Sequence, residues 1–285
     1  MADRRRRIDE HPPTHPAAGR LGRHVHHDPR SLAYLVDEQD PATLTSVRHV
    51  RHIPVLDQGD LGSCTGNAGL GCLGTSPYWE TITYRPVADA RYPFDEDGAV
   101  ALYSDATALD DYPGNYPPDD TGSDGLSIAK VLKAAGEISG YRHAVSLAAA
   151  LTALADRPVI IGIPWYSSFD EPSPITDLIS IDRDAYVRGG HEIVLDELNV
   201  EEKLVWLTNS WGESWGAQGR ACMTWETLGR LLSEEGDVTV FTPLTEPAPT
   251  PTPDPDEELA GCLSKLLPVA KRWLAKHEKG AGHGS

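Results

Sequence analysis

The sequence predicts an α+β fold in two lobes, helices first and sheet second. Three observations carry that reading. Apolar residues at helical spacing, with capping residues before them, gather in the first half of the chain. Four short apolar runs gather between residues 192 and 241, separated by turns short enough for antiparallel pairing. Helices and strands do not alternate as they would around a parallel sheet.

In chain order, residues 1–45 read as a flexible N-terminal arm rich in His, Pro and Arg. Arginines at 4 to 7 have no apolar run behind them, so they do not open a secretory signal. The arginine run and the group His24, His26 and His27 read as a solvated basic patch rather than a nucleic-acid or metal site. Val50 to Leu56 is an extended lead-in to a glycine turn. Ser63 to Thr75 is a helix whose four glycines lower its propensity but suit close packing. Aromatic residues fill 76–95. Ala99 to Leu109 is a second helix. Asp110 to Gly125, rich in Pro, Gly and Asp, is a long loop placed to line a cleft.

Ser127 to Gly136 carries Ile128, Val131 and Leu132 on one helical face, with Asp124 or Ser127 as the cap. Leu147 to Ala155 is another helix, Pro158 to Ile163 a buried strand, and Pro164 to Asp177 a loop. Strands are then expected at Glu192 to Val200, Lys203 to Thr208, Arg220 to Trp225 and Val238 to Phe241. The body so defined is 46–242. Residues 243–257 form a Pro/Thr-rich linker. Residues 258–279 form an amphipathic helix whose apolar face can dock on a protein partner, on a membrane surface or back on the body.

Composition narrows the function. With 285 residues, 40% apolar and a net charge of −18, the chain has ample core and repels nucleic acid and anionic membranes. No apolar stretch is long enough to span a membrane. Absence of a classical signal favours a cytoplasmic or particle-packaged protein over Sec-dependent secretion. Four cysteines are too few for a disulfide scaffold. Cys64 and Cys72 stand roughly 12 Å apart along one helix, beyond disulfide reach. No CxxC pair suggests a metal site, and no cofactor motif is present.

Cys64 is placed at a helix start, where unpaired N–H groups and the helix dipole favour a thiolate, so a lowered thiol pKa is expected. A cysteine nucleophile needs a base and a group to orient it. Of the histidines in the body, His49, His52, His143 and His191, the last stands out. It follows Gly189-Gly190 and starts an apolar strand, which leaves room for a substrate beside it. Asn209 ends the neighbouring strand, and its amide oxygen can hold the imidazole tautomer. Trp211 can cover that bond. The Cys64 backbone N–H and the Gln58 side-chain amide can serve a developing oxyanion.

The segments Gln58-Gly59-Asp60-Leu61-Gly62-Ser63-Cys64, Gly190-His191 and Asn209-Ser210-Trp211-Gly212-Glu213-Ser214-Trp215-Gly216 resemble the papain-like cysteine peptidases, family C1. The order Gln, Cys, His, Asn matches that family. The resemblance covers about residues 50 to 242. It implies a helical left lobe, a β-barrel-like right lobe and an active-site cleft between them. It also implies a thiol protease, an endopeptidase rather than an exopeptidase, acting on peptides or proteins. In that reading Cys64 is the nucleophile, His191 the general base and acid, Asn209 its orienting group, Gln58 an oxyanion donor and Trp211 a shield. Asp124-Gly125-Leu126 resembles the family's glycine-containing substrate wall, so Gly125, Leu126 and Gly190 are the expected substrate contacts. Asp170 and Asp177 are further residues that sequence does not place.

Two positions depart from the pattern. Leu61 stands where the family usually has a disulfide cysteine, which fits a reducing compartment or a bacterial or viral offshoot. Thr65 stands where it usually has Trp, which alters the cleft wall. The arm is short for the inhibitory propeptide of classical members, and it is open whether it enters the cleft or is inert. Two rival functions stay in view: a catalytically silent binding or structural protein on the same scaffold, and an amidase or transpeptidase.

Overall fold

The structure, a computed structural model, describes residues 20–82 and 91–244. The chain divides into two units, Met1–Glu246 and Pro247–Ser285. The amphipathic helix expected at 258–279, and the linker beyond residue 244, lie outside the described residues. No described helix is long and apolar enough to cross a membrane.

Four of the described α-helices start on a capping side chain, whereas the first follows Ser63, which makes no capping bond. Helix α1 (Cys64–Leu73) follows the glycine turn, and every one of its residues is buried. Its glycines are where neighbours come close. A Cβ on Gly66 would press on Ala99 and Tyr103, and one on Gly69 on Ile128. Short α2 spans Tyr78–Ile82. Helix α3 (Glu96–Leu109) is capped by Asp95, whose carboxylate accepts from Gly98 N at 3.0 Å. Helix α4 (Gly125–Ala135) is capped by Asp124 rather than Ser127 and ends on left-handed Gly136. Helix α5 (Leu147–Asp156) starts at a Ser146 cap.

The strands are β1 (Val47–Arg48), β2 (Gly140–Ala144), β3 (Val159–Tyr166), β4 (Val187–Asn199), β5 (Leu204–Thr208), β6 (Arg220–Thr224) and β7 (Asp237–Thr242). They form one antiparallel sheet in the order β2-β7-β3-β4-β5-β6, with β1 against β4. The sheet is open, so the barrel-like expectation is corrected: its end strands β2 and β6 do not pair with each other. Each end strand is instead met by a single bridge, Leu35 to His143 on β2 and Leu178 to Cys222 on β6. Such short covers blunt an exposed edge.

Strand alternation divides the core. Val159, Ile161, Ile163, Ile193 and Leu195 pack with α5 and with helix α6 (Trp225–Ser233) on one face. Ile160, Val194 and Phe241 face α1, α3 and α4 on the other. Strands β1 and β2 and helix α6 were not expected. Strand β2 lacks an apolar alternation. Helix α6 begins at Trp225, where the expected strand was to end, because Thr224 caps it by accepting from Thr227 N at 3.1 Å.

Candidate active site

The turn at 57–62 and the segment 209–212 are stitched together before any chemistry is considered. Gln58 N donates to Ser210 O at 2.9 Å, and Gly212 N to Leu56 O at 3.0 Å. Ser210 Oγ donates to Gln58 Oε1 at 2.7 Å, and Ser210 N to Asn209 Oδ1 at 2.8 Å. Ser210 thus couples Gln58 to Asn209, a role its sequence position gives no sign of.

Strands β4 and β5 bring His191 and Asn209 together. His191 Nε2 lies 2.7 Å from Asn209 Oδ1. The other ring nitrogen, Nδ1, is buried and holds no hydrogen bond among the described residues. Trp211 lies tilted against the imidazole at 5.0 Å between ring centroids, and Trp165 meets it edge-on at 4.7 Å. Trp211 was expected here. Trp165, at the end of β3, was hidden in a stretch read as loop. This aromatic box removes His191 from water, and burial lowers its pKa to about 4.

Cys64 opens α1 with no exposed surface. Its sulfur accepts the backbone N–H of Glu192, the residue after His191, so β4 touches the thiol. It also accepts from Thr65 N and from Gly22 N. The expected lowering of the thiol pKa is corrected: burial pushes it up to about 12. A helix N-terminus favours the thiolate modestly, whereas full removal from water disfavours it by far more. Cys72 and Cys222 are free thiols as well.

What buries Cys64 is part of the predicted arm. Residues 20–26 cross the cleft and pair with its walls through the backbone around Arg23. Arg23 N donates to Gly190 O at 3.0 Å on one wall. On the other, His24 N donates to Ser123 O at 2.7 Å and Ser123 N to Gly22 O at 2.9 Å, a parallel bridge. Main-chain pairing on both sides is how an extended peptide is held. Gly22 lies so close that a Cβ there would overlap the Gly62 carbonyl. Gln58 Nε2 donates to Leu61 O at 2.7 Å and to Arg20 O at 2.8 Å, so an arm carbonyl already engages that amide. Arg20 also pairs with Asp120 at 2.9 Å. His24 stacks on Tyr112 at 4.1 Å, and His26 Nδ1 lies 3.2 Å from Asp124 Oδ2.

The residues expected to line a substrate wall are placed as follows. Gly190 gives its carbonyl to Arg23, Gly125 starts α4 against the Glu192 carboxyl, and Leu126 is buried. Asp170 is buried in an ion pair with Arg188, and Asp177 lies in a turn where its carbonyl accepts from Cys222 N. His49 is buried against Leu154 O at 2.8 Å, and His143 lies on β2, so neither is brought to the thiol. Among the described residues no cluster of His, Cys, Asp or Glu could hold a metal ion.

No protein-family model matches the chain, and no curated protein matches it. Solved structures do. Xylellain, a cysteine protease from Xylella fastidiosa, is 16% identical with a TM-score of 0.58, over 78% of this chain and 96% of that one. Digestive procathepsin L 3 from Tenebrio molitor is 13% identical over 73% and 74%, with a TM-score of 0.47. ProCathepsin B S9 from Trypanosoma congolense is 10% identical over 79% and 87%, with a TM-score of 0.46. The xylellain likeness establishes the papain-like fold of this chain.

Proposed function

We propose that this papain-like chain is a cysteine peptidase whose nucleophile is Cys64. The observation that carries the proposal is the His191–Asn209 bond at 2.7 Å, which commits Nε2 and leaves Nδ1 for the thiol. The fold shared with a cysteine protease supports it. In the reaction, Sγ–H gives its proton to His191 Nδ1 as sulfur bonds to the peptide carbonyl carbon. The oxyanion takes the Cys64 N–H and one Gln58 Nε2–H. The C–N bond then breaks as Nδ1 returns the proton to the leaving amine. Water attacks the thioester, loses a proton to Nδ1, and the thiol is regenerated. Asn209 keeps the ring in its plane, and Trp211 excludes water from their bond. Before any of this the arm must leave, since Arg20 O and Gly22 occupy the substrate's place.

The occupied cleft favours a second reading, a catalytically silent protein that uses this scaffold for binding. One experiment separates the two. The full chain carrying Gly22→Ala, which crowds the arm off Gly62, is incubated with an epoxide-type thiol-protease inhibitor. Intact mass and peptide mapping are expected to give one adduct, on Cys64, and none in a G22A/C64A protein. A folded G22A chain that takes no adduct and turns over no peptide overturns the peptidase reading.

A further inference from the structure

The deepest part of the arm's seat is an acidic pocket for one guanidinium. Arg23 is 3% exposed, although it comes from a segment that only crosses the cleft. It donates to the Asp237 carboxylate and, at 2.8 Å, to the Glu235 carbonyl. Glu192 is fully buried on the same pocket, and both of its carboxyl oxygens lack a hydrogen-bond partner. Arg23 Nε likewise has none. These groups converge on Gly162, where a Cβ would overlap Arg23 Nε and crowd Glu192 Oε2. Gly125 leaves the space on the other side, where a Cβ would stand 2.7 Å from Glu192 Oε1.

A body that needed only to pack here would have little use for such a chamber. Two carboxyl groups, one of them buried without partners, are costly unless a cation completes them. The body does not supply that cation. The arm does, by main-chain pairing of the kind any extended peptide can make. The pocket wall is continuous with the reacting groups, because Glu192 directly follows His191 and its N–H reaches the Cys64 sulfur.

We propose that the pocket formed by Glu192, Asp237, Gly162 and Gly125 selects an arginine side chain of the peptide to be cleaved, and that Arg23 is its built-in competitor. This rests on the peptidase reading above and names its substrate class. Chains with an exposed arginine next to the bond that sits on the thiol are the substrates. A neutral isostere leaves the carboxyls unpaired and is rejected, since a site built to bond a polar group discriminates strongly against an analogue lacking it.

The test uses the full chain carrying Gly22→Ala and Arg23→Ala. Peptidyl amides are compared in which arginine or citrulline stands at either of the two residues before the scissile bond. At one position arginine is expected to exceed citrulline about 100-fold in kcat/KM. Adding E192Q or D237N is expected to shrink that ratio below about 10. A turnover-competent protein with a ratio near one at both positions overturns the proposal. If no peptide is cleaved, the peptidase reading fails and the pocket is judged by binding. Calorimetry with N-acetyl-arginine amide should then show binding to G22A/R23A that N-acetyl-citrulline amide does not reproduce and that E192Q weakens at least 10-fold. Equal or absent binding of the two amides overturns it. Should the double variant not fold, the same amides are measured on R23A alone.

Discussion

Two arginines of this protein are buried beside aspartates, and they are buried for different reasons. Arg188 lies on β4 and meets Asp170 at 2.7 Å, with side chains 2% and 0% exposed. Asp170 also accepts from Trp165 Nε1 at 2.9 Å, and its carbonyl accepts from Trp215 Nε1 at 3.0 Å. Both partners belong to the body, and the carboxylate has its hydrogen bonds. Arg23 arrives from outside, and its pocket keeps unpartnered carboxyl oxygens on Glu192. The first pair is architecture. The second has the form of a receptor holding a replaceable ligand.

The largest test of that distinction is stability. Arg188→Met strands a buried carboxylate, so a loss of about 3–5 kcal/mol in urea unfolding is expected. Arg23→Ala should cost the body less than half as much, because water can follow the arm out of the cleft. Equal losses would make both pairs architectural. A smaller effect concerns the arm alone. Overpacking of the kind Gly22→Ala imposes costs about 1–3 kcal/mol, which corresponds to roughly a 5- to 150-fold faster modification of Cys64 by a small alkylating reagent. An unchanged rate would show that the arm does not guard the thiol.

The smallest effect is on pH. The His26 pKa is raised above 6.5 by its hydrogen bond to Asp124, with Asp28 adding to the rise and burial and Lys130 opposing it. A raised histidine stabilises the docked arm while protonated, fully below its free value, and the contribution fades as pH climbs through the raised one. Protection factors for the Arg23 and His24 amides should therefore fall as pH climbs above the free histidine value, and His26→Asn should flatten that fall. A slope unaltered in H26N would remove His26 from the latch.

The comparison also explains what was legible in the sequence. Gln58, Cys64, His191 and Asn209 announce themselves through local patterns: a glycine turn before a helix, a Gly-Gly-His at a strand start, an Asn-Ser-Trp-Gly after a strand. Antiparallel β4 and β5 bring His191 and Asn209 together. The acidic pocket has no local pattern. Glu192 reads as one polar residue in an apolar strand, Asp237 as the end of a turn, and Arg23 as one of several basic residues in the arm. Only β3, lying between β4 and β7, unites them. The thiol pKa went the other way because a helix start is visible in sequence and a strand laid over it from elsewhere is not. Helix α6 was readable, since Leu228, Leu231 and Leu232 follow the Thr224 cap at helical spacing. No element was expected between the strands predicted at Arg220 to Trp225 and Val238 to Phe241.

One feature of β4 ties reaction and selection together. His191 pairs with Ile163 and Glu192 with Gly162, so consecutive residues send an imidazole and a carboxyl to opposite faces of one strand. A slip of a single residue along β3 would trade them, putting the acid among the tryptophans and the ring in the guanidinium's chamber. Lineages that insert or delete within β3 or β4 should thus lose cleavage and arginine preference at a stroke, while drift elsewhere can erode either one separately.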